Sequence, residues 1–127
     1  MKPALLLDTH VALWWFSADS HLTEAGRDII RSSRCHISVA SVWEVAIKYR
    51  LGKLAVPPGN FLGAVRGAFI RLLPIQPEHA AATADLPLLH GDPFDRLLIA
   101  QARHENMTLL TADAVMAGYG APVCLLP

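Results

Sequence analysis

The apolar positions of this chain follow two rhythms. Short runs at Ala4-Leu5-Leu6-Leu7, Cys35-His36-Ile37-Ser38-Val39, Leu72 to Gln76, Met107-Thr108-Leu109-Leu110 and Pro122 to Leu126 read as strands. Ala4 to Leu7 is apolar throughout, which fits a parallel strand buried on both faces. Between these runs the spacing is helical. His10 to Phe16 forms one such segment, and a second runs from a Thr23 cap to about Ser32 with Ile29 and Ile30 inward. Ser41-Val42-Trp43-Glu44 has the serine-to-glutamate spacing of a capping box, opening a helix that stops near Gly52. After the connector Val56-Pro57-Pro58-Gly59, Asn60 caps an apolar helix through about Arg71, and Pro77 starts a helix containing Ala80-Ala81-Ala82. Leu86 to Gly91 is a loop. Asp92-Pro93 then opens a helix whose inward residues are Phe94, Leu97, Leu98, Gln101 and Ala102, since aspartate is a favoured N-cap and proline is tolerated at the first helical position. A short helix or turn reaches Gly118.

Strands alternating with helices predict an α/β fold with a parallel sheet and helices on both faces. Right-handed crossovers then bring every strand's C-terminal end to one edge. At 127 residues, with no internal repeat, the whole span 1–127 is expected to be a single domain that buries about two-thirds of its unfolded surface.

Composition narrows the functional classes. Hydrophobic residues make up 53% and charged residues 17%, so the chain is rich in core and is not a disordered polymer. That apolar share also favours an additional buried interface. Eleven basic and eleven acidic residues cancel, so contact with a polyanion requires a local patch or metal ions. Cys35 and Cys124 lie inside strand-like runs with no zinc-type pairing, as expected of reduced, buried thiols. The apolar run before Asp8 is too short for a signal peptide, and no run is long enough to span a membrane. The expected location is the cytoplasm.

The carboxylates carry the candidate chemistry. Sites in open parallel sheets form beyond the C-terminal ends of the strands. Asp8 follows the first strand, Glu44 lies in the first helical turn after the second, Asp95 starts the long helix, and Asp113 follows the fourth strand. Each also has a purely structural reading: Asp8 as a strand end and cap, Glu44 as a capping-box residue, Asp113 as an Asx cap. Yet four of the eleven acids are expected to face one edge, with Asp92 close by. Two unit charges ~4 Å apart repel by about 4 kcal/mol at an effective dielectric of 20. A cluster of this kind must protonate or take up a divalent cation. All-oxygen ligands suit Mg²⁺ or Mn²⁺, the ions of phosphate chemistry.

On these residues the chain resembles the PIN-domain ribonucleases, and more narrowly the VapC-type toxins of toxin–antitoxin pairs. The resemblance spans nearly the whole chain and is carried by Leu6-Leu7-Asp8-Thr9-His10, Ser41 to Lys48, Leu51-Gly52-Lys53-Leu54, Asp92 to Ala102, and Leu109-Leu110-Thr111-Ala112-Asp113. It implies a PIN-like three-layer α/β/α sandwich with a central parallel sheet of four to five strands in the order 3-2-1-4-5. It also implies metal-dependent endonucleolytic cleavage of RNA, a homodimer or a higher assembly with antitoxin, and inhibition by a cognate antitoxin protein. By position, the family's acidic quartet falls on Asp8, Glu44, Asp95 and Asp113. Asp8, Asp95 and Asp113 would hold Mg²⁺ (or Mn²⁺), and Glu44 would complete the pocket.

Thr9 and Thr111 are candidate supports for the acids. Lys48, Arg50, Lys53 and Arg96 are candidate substrate contacts, with Arg96 alternatively pairing with Asp92. His10, His21, His36, His79, His90 and His104 have no metal-site spacing and read as packing or surface residues, while Trp14, Trp15 and Trp43 read as core or dimer packing. Three competing classes remain: a haloacid-type phosphatase, disfavoured by His10 two residues after Asp8; a receiver domain, disfavoured by Lys2 and Pro3; and a protein-binding module whose acids serve only as caps.

Overall fold

The computed structural model describes residues 2–127. Five strands form one all-parallel sheet in the order β3-β2-β1-β4-β5: β1 (Ala4–Leu7), β2 (Arg34–Ser38), β3 (Arg71–Leu73), β4 (Thr108–Thr111) and β5 (Val123–Leu125). The helices are α1 (Thr9–Ser17), α2 (Glu24–Arg31), α3 (Val39–Arg50), α4 (Pro58–Gly67), α5 (Pro77–Ala82), α6 (Pro93–Glu105) and α7 (Ala114–Ala117), with a 3₁₀ turn at Thr83–Asp85. Strand order and layering are those of the PIN-like sandwich.

The two faces of the sheet follow from the period-2 alternation of strand side chains. On β1, Leu5 and Leu7 join Val11, Ala12, Ile30, Ile37, Val45, Phe61 and Val65 in a core against α1, α2, α3 and α4. Leu6 points the other way, joining Leu98, Ile99, Ala102, Leu109 and Met116 in a second core under α6 and α7. Leu6 and Leu7 are fully buried, and truncating such a leucine to alanine costs about 2–5 kcal/mol. β1 is therefore sandwiched on both faces, as its sequence predicts.

Several boundaries differ from expectation for identifiable reasons. The helix after β2 starts at Val39, with Ser38 as its cap; the Ser38 hydroxyl accepts from the Ala40 N–H at 3.0 Å. Ser41 thus sits inside the helix, and the capping-box reading of Ser41 and Glu44 is wrong. α4 begins at Pro58, two residues before the expected Asn60 cap, because the fixed φ of proline suits a first turn. It ends at Gly67, and the chain then turns through Phe69 at φ 57° into β3, which ends before Pro74. Cys35 and Cys124 are free, and each is half-buried rather than fully buried. No described helix is long and apolar enough to cross a membrane.

Candidate active site

Three helix starts at the C-terminal edge of the sheet bring acids together. Asp8 caps α1, its Oδ1 accepting from the Thr9 N–H at 2.7 Å. Asp92 caps α6, one oxygen accepting from the N–H groups of Phe94 (2.8 Å) and Asp95 (3.1 Å). Asp113 caps α7 through the Val115 N–H at 2.9 Å. A carboxylate at each start meets the unpaired N–H groups and the positive end of the helix dipole. Asp95 lies in the first turn of α6, and Glu44 projects from the second turn of α3. Asp8, Glu44, Asp95 and Asp113 line a single open cavity of about 320 Å³, together with His10, Trp14, Lys48, His90, Asp92 and Ala112. A cavity of about 400 Å³ lies at the opposite edge, where Lys2, Arg34 and Arg71 stand with Trp15, Phe69 and Ile70. Its chemistry is cationic and apolar, so size does not decide where the acid chemistry is.

The acids are held from behind. The Thr111 hydroxyl donates to Asp8 Oδ2 at 2.8 Å and accepts from the Asp113 N–H at 3.0 Å. Thr9 Oγ1 donates to Glu44 Oε1 at 2.7 Å and lies 2.8 Å from Ser41 Oγ. Lys48 Nζ donates to Glu44 Oε2 at 2.6 Å. Both threonines therefore support acids, where helix capping or strand-end packing is the simpler reading of their positions in the sequence. Glu44 is 2% exposed, so its bonds to Thr9 and Lys48 satisfy a carboxylate that water barely reaches.

Electrostatics mark the cavity as overcharged with carboxylate. Burial, followed by the charges of Asp8, Asp92 and Glu44, pushes Asp95 up to about 7, with His90 opposing. Asp8 is also raised, chiefly by burial, against the lowering bonds from Thr111 and Thr9. Burial works against the charge on Lys48. The Glu44 hydrogen bond and the charges of Glu44, Asp92 and Asp95 outweigh it and hold that ammonium above its ordinary range.

Two candidate substrate contacts have other duties, and residues outside the expected set, His10, Trp14 and His90, line the cavity. The Arg96 side chain neither pairs with the Asp92 carboxylate nor lines the cavity, although its backbone N–H donates to the Asp92 carbonyl at 3.1 Å. Its guanidinium donates to the carbonyls of Pro87 (2.9 Å), Thr83 (2.9 Å), Leu86 (3.3 Å) and His90 (3.4 Å), and to Tyr119 Oη at 3.2 Å. It clamps the loop before α6. Lys48 is bound to Glu44. His90, expected in packing or at the surface, has Nε2 at 2.8 Å from Asp95 Oδ2 and 3.2 Å from Asp113 Oδ2. The signal in the sequence is its place two residues before the Asp92 cap.

Sheet order, two-sided core and an acid-lined cavity at the strand ends define an α/β sandwich with its chemistry at one edge. The PIN domain model matches residues 5–121, and the chain belongs to that family. It is 30% identical over 122 residues to ribonuclease VapC22 of Mycobacterium tuberculosis, covering 93% of each chain. A toxin–antitoxin complex from Klebsiella pneumoniae has the same fold at TM-score 0.70 and 14% identity, with 97% of this chain and 98% of that chain covered. DNA-bound VapBC from Salmonella typhimurium matches at TM-score 0.67 and 19% identity, over 97% and 96% of the two chains.

Proposed function

We propose that this chain is a divalent-metal-dependent endoribonuclease, the toxin of a toxin–antitoxin pair, with Asp8, Glu44, Asp95 and Asp113 as its catalytic acids. The observation that carries the reading is the meeting of these four carboxylates, from distant parts of the chain, in one cavity. The donor set fits a hard divalent ion. Asp95 is driven up to about 7 by its surroundings, and a bound cation relieves the repulsion among the acids. Asp8, Asp95 and Asp113 are the residues that would hold Mg²⁺ or Mn²⁺. Such an ion supplies charge neutralisation and Lewis acidity for attack on a phosphodiester. Glu44, fixed by Thr9 and Lys48, would complete the pocket as a buried negative charge behind the ion.

RNA is the substrate class. Lys53 lines one hollow beside the acids and, with Arg50, the next, giving phosphates a path to the cavity. Tyr49 is 45% exposed beside Arg50 and Lys53, as a platform for bases. The reading of a cognate antitoxin partner is supported by the likeness to ribonuclease VapC22 and to the Klebsiella pneumoniae complex. Exposed apolar side chains such as Trp43, Leu51 and Leu88 fit a homodimer or a larger assembly with that partner, in the cytoplasm.

Incubation of the purified chain with total RNA, with and without Mg²⁺ or Mn²⁺, tests the reading. New 5′ ends should arise only with the ion and not with Asp95→Asn. Cleavage that survives chelation, or survives that substitution, refutes it.

A further inference from the structure

Among the described residues, two groups of three side chains bring metal-ligating atoms within 4.8 Å of one another: His79 with His104 and Glu105, and His90 with Asp95 and Asp113. The first is already spent. His79 Nδ1 accepts from the Gln76 N–H at 3.0 Å, which places the ring proton on Nε2, 2.9 Å from Glu105 Oε2. The lone pair a metal would need is engaged on one side, and the other nitrogen is a donor.

The second group differs at each point. His90 Nε2 is buried and has no hydrogen-bond partner, although carboxylate oxygens of Asp95 and Asp113 stand 2.8 and 3.2 Å away. The approach is close but misaligned for a proton. Neighbouring ligands on an octahedral ion with bonds of 2.0–2.1 Å lie about 3 Å apart, which is the spacing these atoms have. On the far side of the ring, Nδ1 meets the Asp92 N–H at only 3.5 Å, so moving the ring proton to Nδ1 gives up little. Two hydrogen bonds pin the backbone here. The His90 N–H donates to Tyr119 Oη at 2.9 Å, and the His90 carbonyl accepts from Arg96 at 3.4 Å.

We infer that His90 is a direct ligand of the divalent ion through Nε2, alongside Asp95 and Asp113, and that it makes this site prefer Mn²⁺ to Mg²⁺. This rests on the metal-dependent reading above and deepens it by naming a nitrogen ligand. Imidazole suits first-row transition ions, whereas Mg²⁺ takes oxygen ligands and holds its waters. The loop held by Arg96 and Tyr119 thus supplies a ligand that the strand ends do not.

Pulsed electron paramagnetic resonance of the Mn²⁺-loaded protein tests the ligand without reference to activity. Wild type should show coupling of Mn²⁺ to a directly bound ¹⁴N, and His90→Gln should lose it. Titration should show Mn²⁺ affinity falling at least tenfold in His90→Gln, since even residues that only orient a ligand cost ten- to a hundredfold. Mg²⁺ affinity should fall less. Mn²⁺ that binds wild type without ¹⁴N coupling, or binds His90→Gln equally well, overturns the assignment and leaves the nuclease reading standing. Failure of wild type to bind Mn²⁺ at all overturns both.

Discussion

Thr111 Oγ1 donates to Asp8 Oδ2 at 2.8 Å, joining residues 103 positions apart at the point where β4 and β1 end side by side. The same hydroxyl accepts from the Asp113 N–H. One side chain therefore ties an acid after the first strand to the acid after the fourth. Thr111→Val should lower stability by about 1–3 kcal/mol, because it leaves a buried carboxylate oxygen unpaired. Thr111→Ser, which keeps the hydroxyl, should recover most of that. Urea denaturation of the three proteins measures the difference.

Asp95 sets a pH dependence. Its carboxyl titrates near 3.8 when unfolded and is pushed up to about 7 in the folded chain. Below that window both states hold the proton and the group contributes nothing. Within it only the folded state keeps the proton, so stability falls as pH rises from about 4 to about 7. Asp8, also raised, contributes with the same sign. In chelator, the melting temperature should decline across this range, and Asp95→Asn should flatten the decline and melt higher at pH 8.

Metal should reverse that loss. An ion that binds only the folded chain stabilises by about 2.7 kcal/mol at a hundred times its dissociation constant. The rise in melting temperature on adding Mn²⁺ should be larger at pH 8 than at pH 5, where protonated carboxyls compete. An equal rise at both pH values would point to binding away from Asp95.

The Lys48–Glu44 pair sits at the cavity wall, with Glu44 almost fully buried and Lys48 partly exposed. Lys48→Met strands a buried carboxylate and should cost up to about 3 kcal/mol, the lower end for breaking a buried pair. Lys48→Met combined with Glu44→Gln should regain most of this while remaining inactive. Thermal melts and RNA cleavage on the double mutant separate the structural role from the chemical one.

Arg96 should prove structural. Arg96→Lys cannot reproduce a planar fork that reaches the carbonyls of Thr83, Leu86 and Pro87, so lysine should rescue little relative to alanine. Hydrogen exchange between Leu86 and His90 should accelerate in both variants.

Sequence signals are legible where the physics is local. The four apolar residues of β1 and the Asp92-Pro93 start of α6 need only neighbouring positions to be understood. The strand order follows from family resemblance, since pattern alone does not say which strands lie together. Glu44 mimics a capping-box residue because Ser38 and Ser41 are one turn apart, and either could begin the helix. Its burial against Thr9 and Lys48 settles its environment, and that depends on α1 packing against α3. Arg96 follows Asp95 directly, but adjacent helical residues point about 100° apart, so proximity in sequence misleads. His90 approaches Asp113 across 22 intervening residues, a distance that only the folded chain closes.

That Asp8 and Asp113 cap helices where they line the cavity bears on how this protein tolerates change. Asparagine caps a helix about as well as aspartate does, whereas alanine costs about 1 kcal/mol. An Asp8→Asn chain should therefore keep its shape while losing its negative charge. On the proposed role of Asp8, that one conservative exchange should give an inactive, fully folded molecule that still presents the same outer surface to whatever binds it.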